Sequence, residues 1–148
     1  MQWLIYLFAV FAGVLNAIQP GCNAALNKAL GLPFVAAITI SAVTFSALLV
    51  AGLLVGGFHW PMAGRVAQVP WWAWIGGAMG AVYIMSMLLI AERLGAALFL
   101  GLTVTSAIIT SLLLDHFGLV GFRQHPAGAL RILGALLMIG GLGLIARF

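Results

Sequence analysis

The sequence predicts an all-α membrane protein with five transmembrane helices per subunit, and three observations lead to this fold class. Hydrophobic residues make up 65% of the 148 residues and charged residues 5%, with a mean hydropathy of +1.24, whereas a soluble domain has about 25% charged residues. Five long stretches contain almost no charge, and about 20 such residues cross roughly 30 Å of hydrocarbon. These stretches are apolar all round, whereas membrane β-strands alternate with a period of two.

The first two helices are predicted over residues 3–28 and 32–58, joined by the short link Lys28–Pro33. A link of this length places neighbouring helices antiparallel. The first 27 residues have no charged side chain, whereas a cleavable signal begins with a positively charged region. The first segment is therefore predicted to be a helix of the mature protein.

The third and fourth helices are predicted over residues 71–91 and 95–115, with Glu92–Leu94 between them. Two longer links, 59–70 and 115–126, contain Pro, Gly, His and Arg, as interfacial loops do. Indole rings favour the headgroup zone, and the tryptophans mark the predicted membrane edges: Trp3, Trp60, Trp71, Trp72 and Trp74.

The fifth helix, predicted over residues 127–147, is the shortest. Only fifteen residues, 132–146, separate Arg131 from Arg147, which is a short crossing at about 1.5 Å per residue. Pro126 favours a helix start, so the helix is expected to begin near Ala127. Arg131 would then lie in its second turn and extend its guanidinium outward to the interface, as Arg147 would at the other end.

Five crossings divide the six basic residues evenly between the two membrane faces. Three lie on one face and three on the other: Arg65, Arg123 and Arg131 against Lys28, Arg93 and Arg147. Orientation follows the excess of Lys and Arg in cytoplasmic loops, so an even division predicts insertion both ways up. The chain is therefore expected to form an antiparallel homodimer with its own inverted copy. With four crossings the division would be four against two.

Four amides in the first helix form its most informative polar feature. Asn16, Gln19, Asn23 and Asn27 follow one another at spacings of three, four and four residues, which places them on one helical face. We call this set the amide stripe. Pro20–Gly21 lies midway along it and predicts an interruption of the helix. Broken helices form substrate sites in many transporters, but amides also join neighbouring helices. Both interpretations remain open.

The predicted fourth helix contains hydroxyls at helical spacing, namely Thr103, Ser106 and Thr110. Ser106 is a candidate for binding a solute. The favoured interpretation is that these hydroxyls bond to carbonyls three or four residues back in the same helix.

The third helix places Gly76, Gly80 and Tyr83 on one face, with Ser86 and Met87 following. Tyr83 is a weaker candidate for binding. Small residues four apart allow helix backbones to approach closely. Gly76 and Gly80, with Gly134 and Gly140 of the fifth helix, are therefore predicted to pack within or between subunits.

The two carboxylates lie at predicted helix ends, so the helix centres contain none. A proton-coupled cation exporter needs a buried carboxylate, and neither Glu92 nor Asp115 provides one. Asp115 is expected to pair with Arg123 or Arg131. Three histidines lie in loops at unrelated spacings: His59, His116 and His125. We therefore expect no metal site, no cofactor and no enzymatic activity. The lack of a basic run argues against nucleic acid.

Several motifs resemble those of the YdcZ family of the drug/metabolite transporter superfamily. They are Gln19–Leu26 (QPGCNAAL) with Ala29–Gly31, Trp72–Gly77 (WAWIGG), Arg93–Ala97 (RLGAA), Asp115–Leu119 (DHFGL), and Arg131 with Gly134. The resemblance covers nearly the whole chain. It implies a five-helix protein of the bacterial inner membrane, in a family that includes dual-topology single proteins, oppositely oriented pairs and fused halves.

Two positions depart from the pattern of that family. Many members have proline at Glu92 and glutamine at Ala107. Alanine at position 107 removes a polar group from the expected solute pathway. The resemblance therefore implies a site only at Gln19, Asn23 and Asn27.

The sequence therefore predicts a transporter that works by alternating access, with a midplane site lined by amides from both copies. Amides without carboxylates suit a neutral or zwitterionic polar solute better than a bare cation. The expected partners are the inverted copy, membrane lipids and this solute. The rival interpretation is a non-transporting scaffold or lipid-interacting protein. The amide stripe should face a wet cavity in a transporter and a dry helix contact in a scaffold.

Overall fold

The computed structural model describes residues 2–56 and 63–148, and all regular secondary structure within these ranges is helical. The elements are α1 (Gln2–Leu30), α2 (Pro33–Leu54), the single-turn α3 (Ala63–Val66), a 3₁₀ turn (Trp71–Trp74), α4 (Ile75–Leu94), α5 (Ala96–Phe117) and α6 (Ala129–Arg147). In the described residues, five segments are long and apolar enough to cross a membrane: α1, α2, Trp71–Leu94, α5 and α6. The predicted all-helical class with five candidate spans is confirmed.

α1 differs from the prediction at its centre. It runs as one helix of 29 residues through Pro20, so the predicted interruption at Pro20–Gly21 is wrong. Proline has no N–H to donate, which leaves the carbonyl of Asn16 without its usual partner four residues on. Membrane helices tolerate such a residue when neighbouring groups satisfy the freed backbone atoms.

α2 ends at Leu54 and is followed by a turn at Val55 and Gly56. Its predicted end at Phe58 lies outside the described residues, as do His59 and Trp60. α2 begins with Pro33 in its first turn, where a missing N–H leaves no intrahelical bond unmade.

The connection between α4 and α5 is shorter than predicted, because α4 continues to Leu94 and only Gly95 separates the two helices. Glu92 and Arg93 therefore belong to the last turn of α4. Gly95 has φ +84°, a conformation in which other residues are strained, so glycine makes this one-residue link possible.

α6 begins at Ala129, two residues later than predicted, with Gly128 as its N-cap. Arg131 therefore lies in the first turn of α6 rather than the second. At 19 residues α6 is about 28 Å long, which matches the hydrocarbon thickness within a few ångström.

The described chain divides into two compact units, Met1–Arg93 and Leu94–Phe148. In the first unit α1 packs along α2, and a small core forms from Ala36, Ile40 and Leu88 with Leu26, Ala37 and Ile84 around it. In the second unit α5 packs along α6. Gly101 of α5 lies close to α6, because a Cβ added to it would lie 2.5 Å from Leu142 Cδ1.

Candidate functional site

The C-terminal half of the amide stripe contacts α4. Asn23 is 8% exposed, and its Nδ2 donates a hydrogen bond to the sulfur of Met87 at 3.1 Å. One turn later, Nδ2 of Asn27 donates to the carbonyl of Leu88 at 3.4 Å. Two successive amides of α1 therefore bind two successive residues of α4, and these bonds hold the two helices together.

Asn27 has one polar atom that its neighbours do not satisfy. Its Oδ1 is buried and has no hydrogen-bond partner in the described part of the chain. An unmet buried acceptor costs about 1–3 kcal/mol, and native structures contain few of them. The atom is therefore either a source of instability or a group reserved for a partner outside the chain.

The N-terminal half of the stripe is more open. Asn16 is half-buried and Gln19 is exposed, whereas Pro20 between the two halves is buried. The side-chain hydrogen bonds among the described residues include none made by Asn16 or Gln19. The stripe thus consists of two amides that bond to α4 and two that remain available to solvent, lipid or a partner.

The hydroxyls of α5 bond within their own helix. Ser106 is exposed and donates to the carbonyl of Leu102 at 2.7 Å, and Thr103 donates to that of Leu100 at 3.1 Å. The favoured interpretation of Thr103 and Ser106 is therefore correct in this structure. Ser106 belongs to the second unit and the amide stripe to the first.

Tyr83 is half-buried on α4, one turn before Met87. Its backbone carbonyl accepts a hydrogen bond from the hydroxyl of Ser86 at 2.8 Å. The sequence placed Tyr83 and Met87 on one face of this helix, but it gave no partner for the methionine. The bond from Asn23 to Met87 joins residues 64 positions apart, and no local sequence signal marks it.

The four glycines predicted to pack have open space around them in the part of the chain that the structure describes. A Cβ added at Gly76, Gly80, Gly134 or Gly140 would meet no heavy atom of the described residues within 4 Å. Their predicted role in contacts between subunits stays a prediction.

A polar cluster between the last turn of α5 and the first turn of α6 fixes the path of the chain that joins them. Nδ1 of His116 accepts a hydrogen bond from the backbone N–H of Ala127 at 3.1 Å, and Nε2 of Gln124 donates to the carbonyl of His116 at 3.1 Å. Oδ2 of Asp115 lies 3.9 Å from a guanidinium nitrogen of Arg131, which is one of the two predicted partners of Asp115. Both charged side chains are partly exposed, so this ion pair contributes little stability.

The second unit also contains an apolar cavity of about 430 Å³ between α5 and α6. Its lining includes Ile109, Leu113, His116, Ala127, Ile132 and Leu136. The imidazole of His116 is its main polar feature, so the cavity suits an apolar occupant such as a lipid chain rather than a polar solute.

Comparison with known proteins gives one family and one curated relative. The model of the family described as "Putative inner membrane exporter, YdcZ" matches residues 4–144. The inner membrane protein YdcZ of Escherichia coli strain K12 is 35% identical over 86 residues, which cover 55% of this chain and 54% of the relative. The match thus spans about half the length of that relative. No solved structure matches the chain.

Proposed function

The chain belongs to the YdcZ family and is a multi-pass protein of the inner membrane, and from that premise we propose that it transports a small polar solute by alternating access. The working unit is an antiparallel homodimer. In it, two inverted copies of one chain exchange roles, so that a site between them opens first to one side and then to the other.

The amide stripe of α1 is the observation that carries this proposal. Four amides lie on one face of a membrane helix, where each polar group costs free energy unless it has a partner. The side chains of two of them, Asn16 and Gln19, make no hydrogen bond within the described residues. The side-chain nitrogen of Asn27 donates a hydrogen bond, but its side-chain oxygen accepts none from the described residues. A polar solute would supply the missing partners.

The charge pattern of the site supports a neutral or zwitterionic solute. Glu92 lies in the last turn of α4 and Asp115 in the last turns of α5, so neither carboxylate reaches the centre of a described helix. A cation would have only amide dipoles to balance its charge. A solute with no net charge loses less hydration free energy on entering such a site.

Two observations support the inverted dimer: the division of the basic residues and the exposure of α6. With five candidate spans, three basic residues would lie at each membrane face. Neither orientation of the chain in the membrane would then be favoured by an excess of Lys and Arg. No residue of α6 is buried, and all 19 of its residues are described. α6 therefore offers a whole apolar face to lipid or to a second subunit.

One observation favours the rival function, a scaffold or lipid-interacting protein. Asn23 and Asn27 bond directly to residues of α4, and a scaffold needs nothing more of them. The test is uptake of a solute mixture into vesicles that contain the purified protein. A transporter accumulates at least one polar solute over protein-free vesicles, whereas a scaffold accumulates none.

The dimer has its own test, which reporter fusions at the C-terminus provide. Comparable populations on both sides of the membrane agree with the inverted dimer. A single orientation would exclude dual topology and leave the transport proposal to the uptake assay.

A further inference from the structure

In the C-terminal half of the amide stripe, two hydrogen-bonding groups are not fully used, and they lie one helical turn apart. The first is Oδ1 of Asn27, a buried acceptor without a partner. The second is Nδ2 of Asn23, a donor whose partner is the thioether sulfur of Met87. Thioether sulfur is a weak acceptor, so this donor would gain by exchanging it for an oxygen.

The orientation of the Asn27 amide is fixed by its neighbour. Its Nδ2 faces the carbonyl oxygen of Leu88 at 3.4 Å, and a carbonyl can only accept. Exchanging the nitrogen and oxygen of the amide would place two acceptors against each other. The unmet atom is therefore the oxygen, and what it lacks is a hydrogen-bond donor.

Met87 is the side chain that a ligand would displace. It is the largest fully buried side chain in the described part of the chain, at 1% exposure. Methionine is unbranched and adapts its shape at low energetic cost. Its withdrawal from Asn23 would free Nδ2 of that residue and open the space between α1 and α4 beside Asn27.

We propose that Asn27 and Asn23 bind the ammonium and the carboxylate of an α-amino acid. This inference rests on the proposed function and names the solute class of the same site. Oδ1 of Asn27 accepts an N–H of the ammonium group, and Nδ2 of Asn23 donates to the carboxylate once Met87 has moved. Residues four apart on a helix are neighbours at about 5–6 Å, a spacing that one small zwitterion spans with a hydrogen bond at each end.

The same geometry excludes a related class of zwitterion. A betaine, which carries a trimethylated ammonium, has the charges of an amino acid but no N–H to donate. It would leave Oδ1 of Asn27 unmet and bury methyl groups against it. The site should therefore distinguish ligands by their N–H groups rather than by their charge.

The test measures binding of the twenty protein amino acids, and of the N-trimethylated forms of those with a primary α-amine, to the purified full chain. Equilibrium dialysis in detergent, followed by mass spectrometry, gives the bound fraction of each compound. At least one amino acid should bind, and its trimethylated form should bind at least about tenfold more weakly, as expected for one lost hydrogen bond to a charged group. Failure of every amino acid to bind, or equal binding of the trimethylated forms, would overturn the proposal.

Two variants of Asn27 and one control variant test the role of the Asn27 side-chain amide. Asn27→Leu should weaken binding about tenfold or more without lowering the melting temperature, because it removes an unmet buried acceptor together with the bond to Leu88. Asn27→Gln keeps both an amide oxygen and an amide nitrogen and should retain more of the binding than Asn27→Leu. Gln68→Leu removes an exposed amide outside the stripe and should change neither property. Unchanged affinity in Asn27→Leu would overturn the proposal.

Uptake into vesicles separates this inference from the proposed function. If the vesicles accumulate other polar solutes while no amino acid binds, the transport proposal stands and the solute class is wrong. If amino acids bind as predicted but no solute crosses, the binding site stands and the transport proposal is wrong.

Discussion

The contact between Gly101 of α5 and Leu142 of α6 predicts how the stability of the protein responds to a larger side chain at position 101. A Cβ at Gly101 would lie 2.5 Å from Leu142 Cδ1 and 3.9 Å from Leu142 Cγ. Carbon atoms pack best at about 3.5–4.0 Å, so Cδ1 must move by about 1 Å. A side-chain adjustment of this kind costs about 0.5–1.5 kcal/mol, whereas alanine in place of glycine gains about 1 kcal/mol of helix propensity.

Gly101→Ala should therefore change the free energy of unfolding by less than about 1 kcal/mol. Gly101→Val adds two further carbons at the same contact and should destabilise the protein by about 1–3 kcal/mol, the usual range for an overpacked core. Equilibrium unfolding in mixed micelles measures both changes. Leu142→Ala in the Gly101→Val background removes the obstructing carbon and should recover much of the loss, because the two residues share one contact.

Gly13→Val is the matched control. A Cβ at Gly13 would meet no heavy atom of the described residues within 4 Å, so the same substitution should leave stability within about 0.5 kcal/mol of the wild type or raise it. Equal destabilisation by Gly13→Val and Gly101→Val, or no recovery with Leu142→Ala, would refute the reasoning.

Two further predictions concern charges near the membrane edges. Asp115→Asn should lower the free energy of unfolding by at most about 1 kcal/mol, because the 3.9 Å pair with Arg131 is partly exposed; a loss above 2 kcal/mol in micelle unfolding would contradict this. Lysines at both Ala67 and Gln68 raise the number of basic residues on the Arg65 face from three to five, so C-terminal reporter fusions should shift toward the orientation with that face in the cytoplasm. An unchanged ratio of the two orientations would contradict the role of the even charge division.

The sequence predicted the five helices because hydrophobic length is a local property of the chain. The helix ends in the structure differ from the predicted ends by a few residues. For example, α4 continues through Glu92 and Arg93 to Leu94. Loop composition correctly separated the segments, but a one-residue link at Gly95 with φ +84° is a matter of backbone geometry that hydropathy does not measure. The bond of Ser106 to its own helix was also predictable, because it depends only on residues four apart.

The partners of the amides could not be predicted, and the reason is physical. α4 is apolar over most of its surface, so no polar face of α4 fixes which of its sides meets α1. The sequence therefore placed Asn23 and Asn27 on one face without showing that this face meets Met87 and Leu88. Pro20 was misleading in a similar way, because a proline in a membrane helix breaks it or leaves it continuous according to how its neighbours satisfy the freed carbonyl.

Flux through vesicles that contain Asn23→Ala tests the central claim most directly. This variant removes the donor that contacts Met87 in the buried part of the amide stripe. Ser46→Ala is a suitable control, because that exposed hydroxyl bonds only to the carbonyl of Ala42 in its own helix. The account predicts that Asn23→Ala impairs flux of the solute found in the uptake screen while the dimer stays intact and Ser46→Ala transports normally. Unchanged flux in Asn23→Ala would remove α1 from the transport pathway and contradict the account.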